Sequence, residues 1–247
     1  MSDKPKLGFK KDIRLEWMNH SLYLTLQGLS EREIRNELGK YLSSQLTEAG
    51  RPFTKGSINL IKPLLAIWFK ENPINKDFRD ALIHEAASCD SSKWLPLHWA
   101  LMTVEYPLWY SVANQFGRLF SLQDIVKPSQ IYSRIKEVYG DSETVSRNTR
   151  YIIATMSQWK LIVKNNEQNG LYKKPFELNV SNMVFALMYE SIVIVNKGNI
   201  DFTSLSHDKA LFSFQNCQLS PSEIVNQLGN RVNISFRGPE HIVLIHA

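Results

Sequence analysis

At 247 residues, with 43% apolar side chains and six tryptophans, the chain has enough hydrophobic material for one large domain or two to three small ones, which excludes a disordered chain. Its formal charge of +5 comes from 29 basic and 24 acidic residues, a mild excess whose placement matters more than its size. Residues 110–175 hold ten of the basic and five of the acidic residues, so the entire excess lies there and the remaining 19 of each sign cancel.

The first predicted helix covers residues 14–27, where Leu15, Met18, Leu22 and Leu26 recur at helical spacing and Gly28 supplies the stop. Ser30 and Glu33 form a capping box that opens a second helix carrying Ile34, Leu38, Tyr41 and Leu42. Residues 50–56 read as a loop, and residues 57–69 as an apolar helix with Pro63 near its first turns or kinking it. After the Asn72-Pro73 break, residues 75–88 form a helix with Phe78, Leu82 and Ile83 on one face, then a polar connection from Cys89 to Trp94. Trp94, Trp99, Tyr106, Trp109, Tyr110, Phe116 and Phe120 make the next stretch an aromatic helical hub, divided by Pro107.

Residues 129–178 carry the most informative pattern: a helix, a break at Gly140-Asp141-Ser142, a second helix over 143–159, and a basic hairpin over 161–178. This is the order of a winged helix-turn-helix. In the second helix Val145, Ile152, Ile153, Met156 and Trp159 make a stripe to bury, and Ser142 can cap the start. Ser146, Arg147, Asn148 and Arg150 then occupy the half of a recognition helix that meets base edges. Arg can bond guanine O6 and N7 with two parallel donors, and Asn can do the same for adenine. Arg147 and Arg150 are also long enough to hold phosphates instead. Lys164, Lys173 and Lys174 flank the hairpin tip, and Lys127 and Arg134 stand upstream, all candidates for phosphate contact. The bland alternative is a winged helix used for protein contacts, with these cations merely solvated.

Beyond Phe176, residues 181–195 read as a helix, although the run Ser191-Ile-Val-Ile-Val could be a strand. Asn196 to Asn199 is a turn. Ser220 and Pro221 start a short helix that stops near Gly229. Residues 232–236 and 241–245 alternate as a hairpin around a turn at 237–240. Helix, short helix and hairpin resemble a second winged-helix-like module whose surface is not basic, which suits protein contact or packing.

Signals for catalysis are sparse. The sequence has no phosphate-cradling GxxxxGK[ST], no GxGxxG, no HExxH and no GxSxG. The histidines at 20, 84, 98, 207, 241 and 246 show no metal-ligand spacing, so neither metal nor other cofactor is expected. His98 beside Trp99 reads as a core or interface histidine, and Glu105 as a lone carboxylate that would matter chemically only if buried in a pocket. Cys89 and Cys217 lack a CxxC context and are expected to be free thiols in a reducing compartment, with a disulfide between them as the alternative. No apolar run approaches the roughly 18 residues that span a bilayer, and the first residues lack the apolar core of a secretory leader. A soluble cytoplasmic protein with no membrane role is expected.

The block Trp94-Leu-Pro-Leu-His-Trp-Ala-Leu101, the pair Tyr106-Pro107, the run Tyr139-Gly-Asp141 leading to Thr144, Val145 and Arg150, and the apolar ending from Met156 to Leu161 resemble the BrxA family. These are small accessory proteins of BREX phage-defence operons. The resemblance covers residues 94–161 and, more loosely, the last third of the chain; the N-terminal helices match in kind only. It implies a mostly helical, non-catalytic protein whose winged helix binds DNA beside a larger methylation and defence machinery.

The expected architecture is therefore mainly α with small β-hairpins (α+β). It comprises an N-terminal helical domain (1–93), aromatic helices plus a winged helix-turn-helix (94–178), and a C-terminal helix and hairpin module (179–247). The expected partner is double-stranded DNA, with other proteins of a defence operon as further candidates. A scaffold for a larger complex is the alternative, and oligomeric state is left open.

Overall fold

Two helices at the centre of the chain have no polar face. In the computed structural model, which describes residues 7–48, 55–70, 72–165, 167, 169–215, 218–236 and 242–246, every residue from Pro96 to Thr103 and from Val184 to Val193 is buried. A helix buried on every side must be covered all round, and these two stretches, apolar except for His98, Thr103, Glu190 and Ser191, pack directly on each other. The β-branched run at residues 192–195 is helical in this setting, with Ile192 and Val193 buried and Ile194 and Val195 partly so.

The chain reaches this centre through four helices: α1 (Leu15–Leu26), α2 (Glu31–Glu48), α3 (Lys55–Leu65) and α4 (Lys76–Ala87). The capping box at Ser30 and Glu33 is present, with the Ser30 amide donating to Glu33 Oε2 at 2.8 Å. Helix α1 buries Trp17, Met18 and Leu22 and is tied to the end of α3 by Ser21 Oγ donating to the Leu65 carbonyl at 2.8 Å. The loop expected at 50–56 lies largely outside the described residues, and Lys55 and Gly56 already belong to α3. Pro63 falls in the last turn of that helix, after which the chain tightens into a 3-10 turn, Ala66–Trp68.

Helix α5 (Leu95–Glu105) ends at Tyr106, and Pro107 opens α6 (Pro107–Phe120) at the position where a missing N–H costs nothing. A short strand β1 (Ile125–Val126) leads to α7 (Pro128–Tyr139), then α8 (Glu143–Gln158), β2 (Val163–Lys164) and β3 (Tyr172–Lys173). Gly140 closes α7 at φ +86°, a left-handed conformation that favours glycine, and Ser142 Oγ accepts from the Val145 amide at 3.2 Å to cap α8. The strands form an antiparallel sheet in the order β1-β3-β2.

The same order of elements then recurs. Helix α9 (Asn182–Val195) is followed by β4 (Asn199–Asp201), α10 (Phe202–Ser206), α11 (Pro221–Leu228), β5 (Val232–Phe236) and β6 (Ile242–His246), again with strand order first-third-second, β4-β6-β5. The fold is thus mainly helical with two small three-stranded sheets, an α+β arrangement. The turn expected at 237–240 and His241 lie outside the described residues, as does Cys217. One continuous hydrophobic core includes Trp68 from the N-terminal helices, Trp109 and Trp159 from the middle, and Phe185 and Leu244 from the last third. None of the described helices is long and apolar enough to cross a membrane.

Candidate nucleic-acid interface

Helix α8 divides cleanly around its circumference. Val145, Thr149, Ile152, Ile153, Thr155 and Met156 are buried, and the helix packs on α6 and α7. Glu143, Arg147 and Arg150 are left exposed on the opposite arc. Between that arc and α7 runs an open groove of about 550 Å³ lined by Ser129, Tyr132, Ser133 and Lys136 on one side and Glu143, Ser146, Arg147 and Arg150 on the other. Among the described residues no carboxylate pairs with Arg147 or Arg150, whereas Lys136 is tied to Asp141 at 2.8 Å. Burial pushes the Tyr132 hydroxyl above its usual range, opposed by the nearby Arg150 charge.

Of the residues expected to read DNA, Arg147, Arg150 and the half-buried Ser146 share this groove. Asn148 does not. It is 3% exposed, and its Nδ2 donates back to the Thr144 carbonyl at 2.8 Å. The expectation of an adenine contact from Asn148 is therefore corrected. The residue stands three positions after Val145 and four before Ile152, so it belongs to the buried stripe, and that spacing was the signal. Arg134 is also apart from the groove: two residues along α7 from Tyr132 is a rotation of about 200°.

The hairpin lysines do not form one patch. Lys164 stands opposite Tyr172, and Lys173 opposite Val163. Because side chains alternate along a strand, Lys164 and Lys173 face opposite sides. Lys174 is held by Glu177 at 2.6 Å, and Lys173 comes within 4.0 Å of Glu167. Lys164 is exposed, with no paired carboxylate among the described residues.

The back of α8 is bolted to the N-terminal segment. The Ile13 amide donates to Thr155 Oγ1 at 3.0 Å, Trp159 Nε1 donates to the Ile13 carbonyl at 2.9 Å, and Gln158 Nε2 donates to Asp12 Oδ2 at 2.9 Å. Lys11 Nζ lies 5.9 Å from the centre of the Tyr151 ring, which Arg150 also covers at 5.6 Å. Phe9 continues this segment inward, stacked 6.1 Å from Trp109. Nothing local in the sequence announces these contacts, whose hydrogen bonds join residues 142 to 146 positions apart.

The two groups considered for catalysis stand apart from the groove. His98 is fully buried, its Nε2 2.8 Å from Asn19 Oδ1, and burial lowers its pKa to about 3. Glu105 accepts from the side-chain amides of Asn72 and Asn75 at 3.1 and 3.3 Å and lines a cleft of about 700 Å³ whose other charged groups, Lys10, Arg35 and Lys70, are all cations. Two buried polar clusters escaped sequence reading. Asp208 accepts from Tyr110 Oη at 2.6 Å and Asn114 Nδ2 at 3.2 Å, and burial raises its pKa despite those bonds. Glu190, fully buried, accepts from Arg231 Nε at 3.0 Å and lies 3.3 Å from His246 Nε2. Comparison with protein-family models, with curated proteins and with solved structures finds no match to this chain.

Proposed function

We propose that the chain is a non-catalytic DNA-binding protein in which α6, β1, α7, α8, β2 and β3 act as a winged helix-turn-helix. In this reading α8 enters the major groove, α7 crosses the backbone, and the β2–β3 hairpin is the wing. The observation that carries it is the exposed arc of α8: two arginines without carboxylate partners among the described residues, on a helix whose other side is fully committed to packing. Arginine in that position can hold guanine or phosphate. The location of the whole net charge in residues 110–175 supports the same reading.

The likeness of residues 94–161 to the BrxA family extends the proposal to an accessory role in a phage-defence system of the BREX kind. The second module gives a different surface. Helix α11 contains no Lys or Arg and exposes Ser222, Glu223 and Asn226. We assign it to protein contact, which favours, as a second reading, a scaffold that holds partner proteins of the same operon. Anisotropy titration of the full chain against duplex DNA at two salt concentrations separates the readings. DNA binding that weakens steeply with salt, and that is lost on combining Arg147→Ala with Arg150→Ala, supports the reader. Unchanged affinity in that folded double variant removes it.

A further inference from the structure

We propose that the cleft containing Glu105, walled by residues 7–10, α2, α3 and the end of α5, is a binding site for a nucleoside monophosphate, with Lys10 and Lys70 holding its phosphate. The site is separate from the exposed arc of α8 and does not depend on the chain binding DNA.

Two separate stretches of chain bring a lysine to this cleft. Phe9 is buried, edge-on to Tyr106 at 5.6 Å and stacked 6.1 Å from Trp109, which seats the N-terminal segment and leaves the next residue, Lys10, exposed in the lining. The Lys70 amide donates to the Ala66 carbonyl at 2.8 Å, and the Lys70 carbonyl accepts from Arg79 Nη1 at 2.7 Å. Its backbone is held while the residue stays exposed. Arg35 lines the cleft too, but it is shared with Glu31 at 2.6 Å. Lys10 and Lys70 have no carboxylate partner among the described residues. Two ammonium groups beside apolar walls concentrate positive potential in the cleft. They match a phosphomonoester, which carries about −1.5 to −2 charges near neutral pH, better than a single carboxylate. The walls indicate what the phosphate is attached to. Leu60, Pro63 and Ile67 supply apolar surface against which a flat ring can lie. Glu105 is held in the lining by the side-chain amides of Asn72 and Asn75, at 3.1 and 3.3 Å. A fixed carboxylate disfavours a ligand that is anionic throughout and selects one that also carries hydroxyl or amino donors. Phosphate, such donors and a flat ring occur together in a nucleotide. The volume of about 700 Å³ falls in the range of about 300–1,000 Å³ usual for small-molecule sites.

The test is isothermal titration calorimetry of the full chain with AMP, GMP, CMP and UMP, with inorganic phosphate and the corresponding nucleosides as controls. At least one nucleotide should bind. Its nucleoside should bind about tenfold more weakly or less, since a hydrogen bond to a charged group is worth a decade or more in affinity. Lys10→Ala combined with Lys70→Ala should weaken the nucleotide by about the same factor or more. The thermal midpoint of that variant without nucleotide should match the parent, because both residues are exposed. Arg147→Ala with Arg150→Ala should keep the parental nucleotide affinity, which separates this cleft from the groove beside α8. Binding of none of the four nucleotides overturns the proposal, as does parental affinity in the folded lysine variant or loss of affinity in the arginine variant. Inorganic phosphate binding as tightly as the nucleotide overturns the nucleotide assignment. None of these failures touches the DNA-binding reading, which the duplex titration decides.

Discussion

The indole N–H of Trp159 donates to the carbonyl oxygen of Ile13 across 2.9 Å, joining positions 146 residues apart. Both groups are buried, so the bond has no solvent substitute. Replacing Trp159 by Phe keeps an aromatic ring beside Trp109 but leaves the Ile13 carbonyl without this donor. An orphaned buried acceptor costs about 1–3 kcal/mol. The expected outcome is a loss of that size in urea unfolding; an unchanged midpoint would mean that the bond contributes nothing.

Asn148 and Arg147 are neighbours in sequence with opposite expectations. Asn148→Ala removes the bond to the Thr144 carbonyl inside the packed face of α8 and should lower the thermal midpoint. It should leave DNA affinity of the folded protein within error. Arg147→Ala, at an exposed position, should do the reverse. Paired melting curves and anisotropy titrations decide between these assignments.

Gly117 sits inside α6, where alanine would ordinarily be favoured by about 0.5–1 kcal/mol. Here the sign should invert. A Cβ at this position would lie 1.7 Å from the Lys209 carbonyl oxygen and 2.6 Å from its carbonyl carbon. The backbone of the 3-10 turn at Lys209–Leu211 would have to move. Overpacking of this kind costs about 1–3 kcal/mol, so Gly117→Ala should destabilise; a stabilised variant in denaturant titration would contradict the packing.

His98 makes stability depend on pH in a defined window. Burial lowers its pKa from 6.5 to about 3 in the folded chain. Between those values the unfolded chain carries the proton and the folded chain does not. Acid therefore favours unfolding, and stability falls as pH drops from about 6.5 toward 3, by about 1.4 kcal/mol per pH unit from this group. His98→Gln should flatten that limb in unfolding experiments run from pH 7 to pH 4. A parent chain whose stability is level over this range would exclude the effect.

Much of the fold was legible because its signals are local. Ser30, Ser142, Ser181 and Ser220 sit at helix starts as capping residues should, and the hairpin of β5 and β6 follows from alternation. Strands β1 and β4 were not legible, since two or three residues cannot display a period, and each pairs with a strand more than forty positions away. The contacts of the N-terminal segment with α8 were invisible for the same reason: Ile13 finds Thr155 through the fold and not through sequence. In the candidate site the arginines were readable as an exposed pair. The facing of Lys164 and Lys173 was not, because it depends on strand register.

The mutual burial of α5 and α9 has a mechanical consequence. With their middle turns buried on every side, α5 and α9 cannot be parted by a hinge opening without wetting most of the side chains of both helices. The second hairpin therefore rides at a fixed bearing to α8. A protein held by α11 would be presented to a duplex at one angle and one distance, so that the chain would behave as a rigid bracket and not as two grips on a tether.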